Sequence, residues 1–364
     1  MKTLTKQEVF DMIYGCTILG TGGGGSLLRG LEMLEKDFAE GKELNMISLD
    51  ELPDDGMIAT PYGCGAPIKE GEGLDPKFDR LPRLDDSPAV LAFRTLEEYL
   101  GEKCCAVSST ELGGENTAEA LHIACQLGLP IVDSDPTGRS VPDLQHTTYY
   151  VHDLPIYPLA LATNFGETMI IKNVIDDFRA EDIVRAVVVA SGNELGGVDH
   201  PMRGEVYKKS VIPDALTYAM NIGKTLRETK SAGGDVAAAL ADSFDGKILF
   251  KGTIGETPWE SRDGFNFGNI HINGIGSFQG ETYRIWIKNE NIVSYRNEVV
   301  DVSVPDLICM VDKNGEPVTN PNWVKDMEVT VFALPAPEIW KTPKGLEVFG
   351  PRSFNFDFDY KPFK

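Results

Sequence analysis

The chain has 364 residues, 42% hydrophobic and 25% charged, which is enough apolar material for two packed domains. Lys and Arg number 34 against 56 Asp and Glu, a formal charge of −22. A field of that sign opposes nucleic-acid phosphates and anionic lipid, although a small anionic ligand can still find a locally cationic site.

The opening MKTLTKQEVFDMIYG lacks the basic-then-apolar layout of a secretory leader. No apolar run reaches the roughly 18 residues of a membrane span. Cys16, Cys64, Cys104, Cys105, Cys125 and Cys309 show no CxxC spacing, the pattern of reduced thiols rather than a disulfide framework. These features predict a cytoplasmic protein with a small-molecule substrate, no nucleic-acid or membrane partner, and room for homo-oligomerisation.

Thr5 and Glu8 form a capping-box signature, and Val9, Met12, Ile13 and Cys16 follow at helical spacing, so a helix is expected to about Leu19. Gly20-Thr21-Gly22-Gly23-Gly24-Gly25 breaks it, and Leu27, Leu31, Leu34 and Phe38 mark a second helix. Gly22, Gly23, Gly24 and Gly25 either make a nest of N–H groups for an anion or substrate, or simply turn the chain between helices. The loop is not a P-loop, since no Gly-Lys-Ser/Thr follows, nor a dinucleotide fingerprint, since a helix precedes it.

From Met57 the chain changes to short apolar runs that end in polar or glycine-rich residues: MIATPYGCGAP, CCAVSSTELGGEN and LPIVDSDPTGR. Each reads as a buried strand opening into a loop. Between the last two, Ala118, Leu121, Ala124 and Cys125 give a helix one apolar face, ending at Gly128. Strand–helix–strand predicts a parallel pair, placing Glu111 and the Asp133/Asp135 pair on one rim.

Beyond about residue 170, Val184 to Ala190 reads as a strand, and Pro213 opens a helix with Leu216, Ala219, Met220 and Gly223 on one face. From Lys247 hairpins dominate, with Tyr283, Ile285 and Ile287 on one strand, a turn at Asn289-Glu290-Asn291, then Ile292 and Ser294. The fold expected is an α/β domain with a parallel or mixed sheet over 1–170 and a β-rich α+β domain over 171–364.

Several residues carry potential chemistry. Cys64, flanked by Gly63 and Gly65, is either an approachable ligand or nucleophile, or a small buried hydrophobe. Asp133 and Asp135 could hold a cation or divide acid and base work, or make an Asx turn. Arg139 could pair with an aspartate or grip a substrate carboxylate. Asn116 or Thr117 could cap the helix that follows. Among His122, His146, His152, His200 and His271 no metal spacing occurs; His122 borders an apolar face, while His146 and His200 sit on loops suited to ligands.

The segments GCTILGTGGGG, GCGAP, ELGGEN, LPIVDSDPTGRSVPDLQ, PDLICMVD and GPRSFNFDFDY, in this order, resemble the S-methyl thiohydantoin desulfurase-like family, also labelled hydantoinase/oxoprolinase-related. The family's Asp-x-Asp-Gly-Met-Gly-Arg-Ala-Phe-Pro is here Asp133-Ser134-Asp135-Pro136-Thr137-Gly138-Arg139-Ser140-Val141-Pro142, and its Gln-Asn-Glu turn is Lys288-Asn289-Glu290. The altered loop leaves substrate specificity open.

The resemblance implies a metal-dependent hydrolase in which water replaces a sulfur substituent between two ring nitrogens of a thiohydantoin or hydantoin-type ring. Zinc is the metal best suited to supply hydroxide at neutral pH. Cys64, Asp133, Asp135, His146 and His200 are the candidate ligands. Glu111 and Asp135 are candidate acid–base groups, Arg139 a candidate substrate anchor, and the glycine loop an anion donor. The competing expectation is a non-catalytic subunit that binds a small metabolite; phosphate chemistry at TGGGGS lacks the necessary lysine.

Overall fold

A computed structural model describes residues 1–65 and 76–364, so the Ala66 and Pro67 end of the GCGAP segment lies outside the described residues. Thr5 and Glu8 close the expected capping box, the Glu8 amide donating to Thr5 Oγ1 at 3.2 Å and the Thr5 amide to Glu8 Oε2 at 2.8 Å. Helix Lys6–Leu19 follows, and Ser26 caps a second helix, Leu27–Ala39. The glycine loop therefore joins helix to helix, as its flanking periodicities predict.

The first sheet is mixed. Its spatial order is Lys2–Thr3, Asn45–Ile47, Ile131–Val132, Ala106–Val107, Met57–Gly65, Glu194–Arg203, Leu159–Thr163 and Thr168–Ile171. The contiguous strands Asn45–Ile47, Ile131–Val132, Ala106–Val107 and Met57–Gly65 run parallel to one another. Helix Asn116–Leu127 connects two of them and stops at Gly128, whose φ of 65° suits a residue without Cβ. Glu194–Arg203 enters antiparallel between Met57–Gly65 and Leu159–Thr163, so the chain beyond residue 170 returns to complete the first sheet.

The segment Val184 to Ala190 is not a strand. It is the C-terminal half of helix Asp177–Ala190, capped where Asp176 accepts from the Arg179 amide at 2.8 Å. Ala180, Val184 and Val188 recur four apart and are fully buried against the sheet, so the 3.6 period overrides the β-propensity of the valines. Pro213 also moves: it lies in the short strand Ile212–Pro213, and helix Ala215–Ser231 begins after it. The expected face of that helix holds, with Leu216, Ala219 and Gly223 all buried.

The β-rich part is an antiparallel sheet ordered Val299–Ser303, Glu290–Arg296, Thr282–Lys288, Phe265–Gly274, Lys247–Ile254, Glu328–Leu334 and Leu307–Asp312, with Trp259–Arg262 added on Phe265–Gly274. Tyr283, Ile285 and Ile287 point into its core, and Asn289 makes the expected tight turn with φ of 56°. One apolar core crosses both parts: Val9, Met12 and Ile13 of the first helix share it with Leu307, Cys309 and Phe332.

The contact between helices Lys6–Leu19 and Ala215–Ser231 depends on two glycines. A Cβ on Gly15 would stand 1.7 Å from the Ala219 carbonyl oxygen, and one on Gly223 would stand 1.7 Å from the Asp11 carbonyl oxygen. Both obstacles are backbone, so a methyl group must push the helices apart. Gly15→Ala should lower the unfolding free energy by about 2–3 kcal/mol, seen as a lower urea midpoint at unchanged slope; an unchanged midpoint would contradict this packing.

Candidate active site

A cleft of about 150 Å³ opens where the ends of Met57–Gly65 and Ala106–Val107 meet the glycine loop and the Asn289-Glu290 turn of the second sheet. Cys64, Thr110, Glu111, Asn116, Asp143 and Glu290 line its interior. Both parts of the chain thus contribute to one site.

Glu111 follows the short strand and holds a left-handed backbone, φ 59°, uncommon for a side chain of its size. Asn116 Nδ2 donates to Glu111 Oε2 at 2.8 Å, and the Val141 amide donates to Oε1 at 3.3 Å. Burial raises the carboxyl and the charge of Asp135 adds to it, while these donors oppose; the outcome is about 8.

Glu290 begins strand Glu290–Arg296 and is almost fully buried. It fits because Gly23 has no side chain: a Cβ there would lie 1.8 Å from Glu290 Oε1. Burial, then the charge of Glu111, push this carboxyl well above the usual range, against the pull of Arg139. Glu290 Oε2 has no hydrogen-bond partner among the described residues. Burial with an unpartnered oxygen favours the neutral acid, which can give a proton to a ligand.

Cys64 is buried in the cleft wall, and burial pushes its thiol up to about 12 despite the nearby Arg185. The resting group is therefore a thiol rather than a thiolate. Arg185 itself is committed, donating to Glu181 Oε1 at 2.8 Å and to the carbonyls of Gly264 and Pro142. At the mouth Arg29 pairs with Glu115 at 2.9 Å and Glu194 at 3.4 Å, while Ser87 donates to Glu119.

The remaining sequence candidates lie elsewhere. Asp133 turns away from the cleft to hold the start of helix Ala215–Ser231, accepting from the Thr217 amide at 2.9 Å and from its hydroxyl. Asp135 is saturated by the Thr137 amide and hydroxyl and the Gly138 amide of its own loop and by Ser109 Oγ from the end of the neighbouring strand. Its charge reaches Glu111, but it does not line the cleft. The single rim expected for Glu111, Asp133 and Asp135 is thus split by the opposite turns of the two aspartates.

Arg139 is fully buried and donates to the carbonyls of Ser140, Pro305 and Asp306 and to Thr21 Oγ1, with its guanidinium 4.9 Å from the Phe349 ring. It binds protein carbonyls rather than facing the cleft. His146 packs against Phe349 and Phe354, and burial draws it down to about 4. His200, with φ 45°, is hydrogen-bonded through Nδ1 to Asp199 at 2.7 Å and lies tilted against the Tyr149 ring. His122 bridges Asp37 and Asp86, the structural role its apolar neighbours suggest.

Cys64, Asp133, Asp135, His146 and His200 therefore do not converge. Among the described residues no three His, Cys, Asp or Glu side chains form a group able to hold a metal ion. The expected anion nest differs too. Ser26 N, at the start of the second helix, donates to the protein's own Glu115 at 2.8 Å, and the Gly23 amide is spent on Gly20 O. Gly24 and Gly25 reach the cleft, whereas Gly22 abuts Asn320 and Gly23 abuts Glu290.

Glu290 and Asp143 are the acids that sequence patterning passed over. The first was hidden in a hairpin turn and the second in a loop. The available signal was the Asn289-Glu290-Asn291 run, an acid beside the buried Ile292 and Val293 where a turn needs only polarity. Because Gly24 has φ 78° and a Cβ on it would meet the Gly113 Cα at 2.4 Å, Gly24→Ala should cost about 1–3 kcal/mol. Gly23→Ala should cost less, since the Glu290 side chain can swing away; equal midpoints for the two variants in denaturant titration would contradict this.

No helix among the described residues is long and apolar enough to cross a membrane. No curated protein matches the chain. A crystal structure of a protein from Chromobacterium violaceum is similar over 100% of both chains, with a TM-score of 0.78 at 21% identity, which speaks for a shared fold. The family model for the S-Me-THD-like N-terminal domain matches residues 7–173, and that for the S-Me-THD-like C-terminal domain matches residues 175–363. With both models spanning nearly the whole chain, this protein belongs to the S-Me-THD-like family.

Proposed function

We propose that the protein is a hydrolase that replaces a sulfur substituent on a thiohydantoin-type ring with oxygen from water, using Glu111 and Glu290 as its acid–base pair. The observation that carries this is the placement of two carboxyls with raised pKa in one cleft, one held by two donors and one with a free oxygen. Family membership supports the ring class. A divalent cation would need donors that the five expected ligands do not bring together, so water activation falls to the carboxyl pair.

In the ring the carbon between the two nitrogens carries the sulfur substituent. Ionised Glu111 takes a proton from water as its oxygen bonds to that carbon. The C–S bond then breaks with its electron pair going to sulfur, and protonated Glu290 supplies the proton that lets the thiol leave. The turnover leaves Glu111 protonated and Glu290 ionised, and proton exchange between these coupled groups or with solvent restores the start. Cys64, Gly63 and the small residues around them leave room for a flat ring against the strand end.

The pH dependence follows from the signs. Glu111 must be ionised, so kcat/KM should rise about tenfold per pH unit below its value of about 8 and level off above it. Glu290 must be protonated, so a second limb should fall as rising pH ionises it. Glu111→Gln should lower kcat about 10²–10⁴-fold, and Glu290→Gln about 10²-fold with loss of the falling limb. Thiol release from an S-methylthiohydantoin, followed with a chromogenic disulfide, measures all of these. Tight hydantoin binding without turnover would instead indicate a metabolite-binding subunit, and a fully active Glu111→Gln protein would remove the assignment.

A further inference from the structure

Asn116 is the first residue of helix Asn116–Leu127, one position past the cap residue Glu115. The cap residue, Glu115, makes no side-chain bond to the helix, and the Asn116 side chain is bonded elsewhere. It crosses the cleft wall. The Gly63 amide, in the strand that carries Cys64, donates to Asn116 Oδ1 at 2.8 Å. Asn116 Nδ2 donates to Glu111 Oε2, also at 2.8 Å.

The amide orientation is fixed by this pairing. A backbone N–H can only donate, so the atom facing Gly63 must be the oxygen, and the nitrogen must face Glu111. Asn116 is itself buried and is held on its main-chain side as well, its amide donating to the glycine loop at Gly24 O at 3.2 Å. A side chain locked at both ends of its amide gives Glu111 one permitted direction, and the Val141 amide takes the second oxygen. Ser140 supports the same carboxyl from the loop after Asp135.

We propose that Asn116 is the positioning residue of this site, tying the Cys64 strand to Glu111 and holding the Glu111 carboxylate in the orientation and ionisation state that a base requires. The assignment of Glu111 as base rests on the function proposed above; the tie itself does not. The charged and titratable groups facing Glu111 are Asp135 from the loop after the parallel strand, Glu290 from the second sheet and Cys64 from the strand wall. Burial and the charge of Asp135 disfavour ionisation of Glu111, so the Val141, Asn116 and Ser140 donors are what keep part of it ionised near neutrality.

The test reads Glu111 directly. In the full-length protein, infrared difference spectra against Glu111→Gln isolate the Glu111 carboxyl band and its titration, which starts from about 8. Asn116→Leu removes the donor without adding charge, and its Glu111 transition should move up by about one pH unit or more. Asn116→Asp keeps the acceptor for Gly63, guards against misfolding of the leucine variant, and should move the transition the same way. In turnover assays at pH 7 kcat should fall about tenfold while KM changes little. A Glu111 transition that stays put in both variants overturns the proposal. A shifted transition in a protein without hydrolase activity upholds the tie and discards the function instead.

Discussion

Close approach of backbone at the glycine loop is the constraint on which the site depends. Thr21 and Gly22 carbonyls accept from the Asn291 and Asn320 amides at 2.8 and 2.7 Å, so the second sheet and the loop that follows it are stitched to the first helix pair. Gly23 leaves the space that Glu290 fills, and Gly24 lies against Gly113. A side chain at Gly24 would push the loop off Gly113, and one at Gly23 would displace the Glu290 carboxyl. The entropy cost of consecutive glycines is thus offset by the contact of two parts of the chain around one cleft.

Buried carboxyls of the same chemical type behave differently according to their donors. Asp135 receives three hydrogen bonds inside its own loop and a fourth from Ser109, and Asp133 is engaged by Thr217, so each is occupied with holding the fold in place. Glu290 is equally buried but keeps one oxygen without a partner among the described residues. Burial raises both carboxyls, but at Asp135 the Thr137, Gly138 and Ser109 donors oppose it, whereas at Glu290 the charge of Glu111 adds to it. That difference, rather than the presence of acidic residues, separates groups available to a ligand from groups spent on the fold.

Arg139 illustrates the same principle for a cation. Burial draws its guanidinium down to about 10, and carbonyls of Ser140, Pro305 and Asp306 with Thr21 Oγ1 satisfy its donors. It joins the loop after Asp135 to the chain near residue 305 and to the glycine loop, close enough to Glu290 for charge attraction. A guanidinium so completely used cannot also clamp a substrate carboxylate.

The sequence by itself determined the local elements whose signals are periodic or capped: the Thr5/Glu8 helix start, the helix-to-helix glycine break, the parallel strands flanking helix Asn116–Leu127, and the hairpin at Asn289. It also put Glu111 on one rim with Asp133 and Asp135, because the C-terminal ends of parallel strands share a side, and the packing kept only Glu111 in the cleft. Tertiary structure decided the rest. The valine run from Val184 became helix because its buried positions fall four apart, which local β-propensity conceals. The directions of Asp133, Asp135 and Arg139 depend on Thr217, Thr137 and Pro305, partners two to 166 residues distant in the chain. Glu290 and Asn116 entered the site through contacts with Gly23 and Gly63 that no spacing rule encodes, since a side chain's hydrogen-bond partner is fixed only when the surrounding elements pack.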